Sequence, residues 1–224
     1  MSVNFHAFQN KGVPFEECEA LYEQWHEEFA GFDPERVAKI LQLDYDKTHV
    51  YLSYFQIPYR MRLKDGHLEK QTETGWTKEL YFNESMAIYH ILKYTVDQPR
   101  HAGVWVPNEK LDRVVSRSAR IADPLLTPFA RVWTGRCAEL AAACEKAGGR
   151  KLNKGDVAYQ FAAFPFMEVQ LVFWDADEDF PAQAQVLFDE HATDYIHFET
   201  SGCIVADLLE KVGIDSIYSS PAKQ

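Results

Sequence analysis

The chain has 224 residues, of which 46% are hydrophobic, 14% aromatic and 25% charged, and it carries a net charge of −11. A chain of this size buries about 70% of its extended surface, so its core needs no disulfide or metal staple. Four classes are excluded: a membrane span, which needs about 18 consecutive apolar residues; a secretory leader, because MSVNFHAFQNKG has no basic region ahead of an apolar block; a disordered chain, given the aromatic content; and a nucleic-acid binder, which needs a basic surface.

In chain order, Pro14 to Ala30 reads as a helix with Phe15, Cys18, Tyr22, Trp25 and Phe29 on one face. Gly31 ends it, and Asp33 with Pro34 opens a second helix. Thr48 to Phe55 alternates as a strand, continued after Pro58 by Tyr59, Met61 and Leu63, and Asp65-Gly66 is a hairpin signal leading to a strand through Leu68. Asn83 is positioned to cap a helix to about Thr95, and Asn108 another to about Ala122. In the latter, Leu111, Val114, Val115 and Ser118 oppose Arg113, Arg117 and Arg120. Thr127-Pro128 opens the longest predicted helix, lined by Phe129, Trp133, Cys137, Leu140 and Cys144 and stopped by Gly148-Gly149. Val157 to Trp174 gives two strands around Pro165, and Val186 to Phe188 a short third one. Thr200 or Ser201 caps a last helix with Ile204, Val205, Leu208, Leu209 and Val212 inward, and the tail from Ser219 reads as loose.

Helices and strands thus come in blocks, which predicts an α+β fold with a largely antiparallel sheet and about six to seven helices. Residues 1–224 form one domain on this reading, with 148–155 (GGRKLNKG) either a hinge between two lobes or a surface turn. Cys18, Cys137, Cys144 and Cys203 form no CxxC pair and read as reduced thiols of a cytoplasmic protein.

Charge is unevenly laid out. From Glu168 to Asp215 there are twelve acids and one base, whereas Arg113 to Lys154 holds nine bases and three acids. The densest polar stretch is Trp174-Asp-Ala-Asp-Glu-Asp-Phe-Pro181. Asp175, Asp177 and Asp179 alternate as a hard-cation site requires, and Asp189 is a further candidate metal ligand, although Phe180 and Val186 occupy positions where a calcium loop needs Gly and Glu. The alternative is a solvated acidic turn whose carboxylates cap backbone amides. His191 with Asp189 is the candidate acid–base pair, against a surface histidine beside a helix cap. For a flat or anionic cofactor the candidates are Trp174 and Phe180 as aromatic walls and Arg117 and Arg120 as an anion clamp, the alternative for the arginines being a solvated helix face with Glu109 pairing Arg113. No GxSxG, Walker A, GxGxxG or HExxH pattern occurs.

The segment from the double glycine through the strand pair broken at proline, Asp177-Glu178-Asp179-Phe180-Pro181, Leu187-Phe188-Asp189 and the Tyr-Ile pair resembles domain-of-unknown-function family 3786, found mainly in anaerobic bacteria and archaea. The likeness is densest from Gly148 to about Val212 and extends loosely over most of the chain. Some members are joined to iron–sulfur domains like those of corrinoid iron–sulfur proteins. This chain lacks the four clustered cysteines that such an attached domain would bring, so the resemblance implies a stand-alone form without an iron–sulfur cluster of its own.

Three functions follow as expectations. The leading one is a cytoplasmic, non-redox binding or accessory module for a corrinoid or other tetrapyrrole, or for a partner protein of anaerobic corrinoid or iron–sulfur metabolism. The second is a divalent-metal enzyme with Asp175, Asp177, Asp179 and Asp189 around the ion and His191 moving a proton. The third is a structural subunit whose acidic flank docks on a basic partner.

Overall fold

The structure, a computed structural model, describes residues 28–29, 31–78, 80–111 and 123–213. Helix α1 (Pro34–Leu41) begins as its sequence dictates: the Asp33 carboxylate accepts from the Arg36 amide at 2.9 Å and Pro34 fills the first turn. Four strands follow as an antiparallel meander: β1 (His49–Tyr54), β2 (Ile57–Arg62), β3 (Leu68–Thr72) and β4 (Gly75–Thr77). Asp65-Gly66 lies in the β2–β3 turn, where Arg62 clamps Asp65 and the Gly66 amide donates to the Arg62 carbonyl.

The β1–β2 turn has no glycine or asparagine to announce it. Phe55 and Gln56 both adopt positive φ, 43° and 67°, as in the tight two-residue hairpin turns that usually take Asn-Gly. Packing is what holds them there. Phe55 is buried, and its amide donates to the Ala163 carbonyl of the second sheet at 2.8 Å.

That sheet runs in the order β5 (Trp105–Pro107), β9 (Gln183–Asp189), β8 (Met167–Trp174), β7 (Val157–Phe164) and β6 (Arg150–Lys151), antiparallel throughout. The expected Pro165 hairpin is present, and the expected short strand at Val186–Phe188 extends over all of β9. Segment 148–155 supplies β6 and the turn into β7.

Helix α2 (Phe82–Tyr94) packs on α5 (Thr200–Lys211), while α3 (Leu126–Trp133) lies on β9 and α4 (Cys137–Lys146) on β7. One hydrophobic cluster runs through both sheets and these helices; Tyr59, Met61, Ile88, Phe129, Tyr159, Phe173 and Phe188 are all essentially inaccessible. Cys144 and Cys203 are buried in it and Cys137 is half-buried.

The fold is thus α+β and antiparallel, with three corrections. There are two sheets, of four and five strands. The described residues hold five α-helices instead of six to seven. The helix expected at Pro14–Ala30 lies almost wholly outside them. So does most of the one expected at Asn108–Ala122, of which Asn108–Lys110 forms a single 3₁₀ turn. The long helix expected from Thr127 is broken into α3 and α4 at Gly135, whose φ of 70° leaves the helical region. Gly148, with φ 81°, and the Gly149 amide donating to the Cys144 carbonyl close α4 at the expected place. Among the described residues no helix is long and apolar enough to cross a membrane.

Candidate functional site

The acidic run after β8 forms an exposed turn. Asp177 accepts from the amides of Asp179 (2.9 Å) and Phe180 (2.7 Å), and its own amide donates to the Phe180 carbonyl. Asp175 accepts from the Gly135 amide at 2.9 Å and from the Cys137 thiol at 3.4 Å, pinning the turn to the α3–α4 corner. The Gly135 amide foremost, then the Ala176 amide and the Cys137 thiol, hold its carboxyl below the usual range. Asp179 is exposed. Trp174 and Phe180 lie at the surface, 38% and 63% exposed.

Asp189 is not part of this turn. It sits at the opposite end of β9, six residues along the strand from Gln183, a span of roughly 20 Å. Buried there, it accepts from the amides of Ala102, Gly103 (2.7 Å) and His191 (3.0 Å), fastening the loop before β5. Asp189 thus engages the backbone amide of His191, whose Nε2 stands 3.8 Å from Glu190. Asp175, Asp177 and Asp179 thus share one turn with separate partners, and Asp189 lies with His191 at the far end of β9. Among the described residues no three His, Cys, Asp or Glu side chains are grouped to hold a metal ion. Arg113, Arg117 and Arg120 lie outside the described residues.

A different constellation lies where β1, β2 and β3 meet α2 and α5. Alternation along the meander turns Tyr54, Tyr59 and Lys70 to its inner side, and Tyr59 stands opposite Lys70 in the β2–β3 register. The buried Glu84, at the start of α2, receives all that faces it. Tyr59 OH donates to Oε2 at 2.6 Å, Lys70 Nζ lies 2.8 and 3.1 Å from its two oxygens, and the Tyr81 amide donates to Oε1 at 2.7 Å. The last contact is the reach-back bond of an N3 glutamate closing a helix start.

Beside this pair, Tyr54 OH donates to Asp207 of α5 at 2.7 Å, and the Asn83 side chain also hydrogen-bonds Asp207. The other end of the Asn83 amide, Oδ1, is buried with no hydrogen-bond partner. Asp207 is half-buried by area yet crowded by protein, and this desolvation, with Glu84 and Glu210 nearby, raises its carboxyl to about 7 against the pull of Tyr54 and Asn83. Burial and the adjoining carboxylates push the Tyr54 and Tyr59 hydroxyls far up, so both are neutral donors. One turn beyond Asp207, Lys211 is exposed and its ammonium lies 5.7 Å from the Phe55 ring centre. Desolvation lowers its proton affinity, and Lys70 adds to this.

Chemically, the seam offers neutral hydroxyl donors, a carboxyl able to gain or lose a proton near neutrality, and an accessible amine. Sequence reasoning did not single it out. Its traces were a lysine in a core-facing strand position two after Leu68, and an Asp207–Lys211 pair at i,i+4 beside the apolar stripe of the last helix.

Farther along α2, the buried His90 places Nδ1 2.5 Å from Thr200 Oγ1 and faces His197 at 6.0 Å between rings. Burial, reinforced by His197 and Lys93, lowers its imidazole to about 3, so it is neutral at ordinary pH.

Neither a curated protein nor a solved structure matches the chain. The family described as a domain of unknown function, DUF3786, matches residues 33–208, from the cap of α1 to one residue past Asp207. The match takes in both sheets and every residue of the seam except Glu210 and Lys211, and on it the chain belongs to the DUF3786 family.

Proposed function

We propose that the protein is a binding module that seats a small polar ligand at the seam around Asp207. The observation that carries this reading is the setting of Asp207: a carboxyl crowded by protein but still reached by solvent, held by Tyr54 and Asn83 and followed one turn later by an exposed lysine. A group with a strongly displaced proton affinity beside a specific charge partner is a frequent mark of a functional site. The partnerless Asn83 oxygen points the same way, since such an atom lowers stability by about 1–3 kcal/mol and calls for a reason. An accessory role in anaerobic cofactor metabolism, with a corrinoid, another tetrapyrrole or a partner protein as occupant, enters the proposal through the family resemblance alone.

The test is a thermal-shift screen of polar metabolites together with ultraviolet–visible titration by cobalamins and haem, run on the wild type, Asp207→Asn and Asn83→Ala. The expected result is a ligand that raises the melting temperature of the wild type and loses most of that effect in both variants. A screen without any shift, or shifts indifferent to both substitutions, removes the seam as a seat.

A further inference from the structure

We infer that the seam receives a small organic cation with N–H donors, a primary ammonium ion, which donates to Asn83 Oδ1 and faces the Asp207 carboxylate. This rests on the seam being a ligand seat and names the class of ligand.

Hydrogen-bond accounting sets the polarity of the missing group. Tyr54 OH is spent on Asp207 at 2.7 Å and Tyr59 OH on Glu84 at 2.6 Å. Lys70 is spent on both oxygens of Glu84. The Asn83 side chain bonds Asp207, and a carboxylate only accepts, so the amide nitrogen of Asn83 faces Asp207 and Oδ1 points elsewhere. Oδ1 is buried there without a partner. An orphaned acceptor calls for a donor, which excludes groups that only accept, such as an ionised carboxylate. Asn83 and Asp207 are themselves half-buried, so solvent reaches the pair where the start of α2 meets the last turns of α5.

Charge selects a cationic donor over a neutral one. Glu84, Asp207 and Glu210 stand against Lys70 and Lys211, three acids to two bases, and Lys70 is already committed to Glu84. The uncompensated negative charge therefore lies at the Asp207 end, and a hydrogen bond from an ionised donor is about twice as strong as a neutral one. The aromatic walls suit the same guest. Tyr54 packs on Phe55 and Phe164 with ring centres 4.8 and 4.9 Å apart. Two rings of the seam already face ammonium groups: Tyr81 with Lys70 at 5.0 Å, and Phe55 with Lys211 at 5.7 Å. Exposed Lys211, at i,i+4 from Asp207 on α5, is the cation that such a guest must compete with.

The test titrates the isotope-labelled full chain at constant ionic strength with methylammonium and ethanolammonium, and reads affinity from nuclear magnetic resonance shifts, the Asn83 side-chain amide among them. Tetramethylammonium, which has the charge without N–H, acetamide, which has N–H without the charge, and acetate serve as controls. The two primary ammonium ions are expected to bind roughly tenfold or more tightly than any control, the least that one hydrogen bond involving a charged group contributes. Asn83→Ala and Asp207→Asn should each weaken them by a similar factor. Lys211→Met should instead tighten them, because it removes the competing cation; the substitution is at an exposed position, and an anionic guest would respond with the opposite sign. Equal affinity for methylammonium and tetramethylammonium, binding unchanged in folded Asn83→Ala, or weaker binding in Lys211→Met overturns the inference. If neutral or anionic ligands of the thermal-shift screen occupy the seam and the ammonium ions do not, the seat stands and the cation falls. If nothing binds, both fall.

Discussion

The turn after β8 and the seam beneath β1–β3 are both rich in carboxylates, and they treat them in opposite ways. In the turn, Asp175 and Asp177 accept from backbone amides and Asp179 faces solvent, so charge is diluted by water and by the chain itself. In the seam, Glu84 and Asp207 are crowded by protein and answered by tyrosines, an asparagine and lysines from three strands and two helices. The lesson is that the density of acids along a sequence says little about chemistry. A single acid next to a core stripe is under stronger physical constraint than three in a row on a loop, because desolvation makes its charge state depend on each neighbour.

The sharpest way to break this contrast is Lys70→Met. It strands Glu84 inside the protein, and breaking a buried pair from one side is expected to lower stability by roughly 3–5 kcal/mol, which denaturant unfolding will measure. A loss comparable to a surface substitution would make the seam no different from the turn.

Next comes Asp207→Asn, whose effect depends on pH. A carboxyl raised in the folded state from the ordinary range to about 7 binds more protons folded than unfolded between those values, so native stability falls as pH rises through that window. Each pKa unit corresponds to roughly 1.4 kcal/mol. Asparagine carries no such penalty. The variant should therefore match or fall below the wild type near pH 4 and exceed it by roughly 1–3 kcal/mol at pH 8, a crossing that melts at several pH values will detect.

His90 gives the opposite slope on the same helix pair. Its imidazole is lowered to about 3, so the unfolded chain binds more protons below the ordinary histidine range, and stability should drop as pH falls from about 6.5 toward 3. Replacing His90 by Gln should flatten that acid limb. An unchanged limb would mean that the buried imidazole is not its source.

In the turn, Asp177→Ala removes the acceptor of two exposed amides and should lower stability by about 0.5–1 kcal/mol. Asp179→Asn should stay within about 0.5 kcal/mol. Melting with and without a chelator should likewise coincide; a large chelator effect on the wild type, lost in Asp179→Asn, would return the acidic run to the status of a metal centre.

Much of the fold was legible because it follows local rules. Asp33-Pro34, the break at Pro165 and the double glycine after Cys144 each act within a few residues, and each falls where expected. The breaks at Gly135 and at Phe55–Gln56 were not legible, because both are held from outside their own segment: the Gly135 amide by Asp175, the hairpin turn by Ala163. The site was hidden for the same reason. Tyr54, Tyr59, Lys70, Glu84 and Asp207 become neighbours only when two sheets and two helices close, and a strand lysine looks solvated until its register turns it inward.

The Phe55–Gln56 turn also bears on how the molecule assembles. Left-handed conformations of bulky residues nucleate a hairpin poorly, and the carbonyl that steadies this one belongs to a strand far downstream. The amino-terminal meander should thus gain fixed register only after β7 is in place, making its amides late to acquire protection from hydrogen exchange during refolding, and a chain halted before β7 should leave them unprotected.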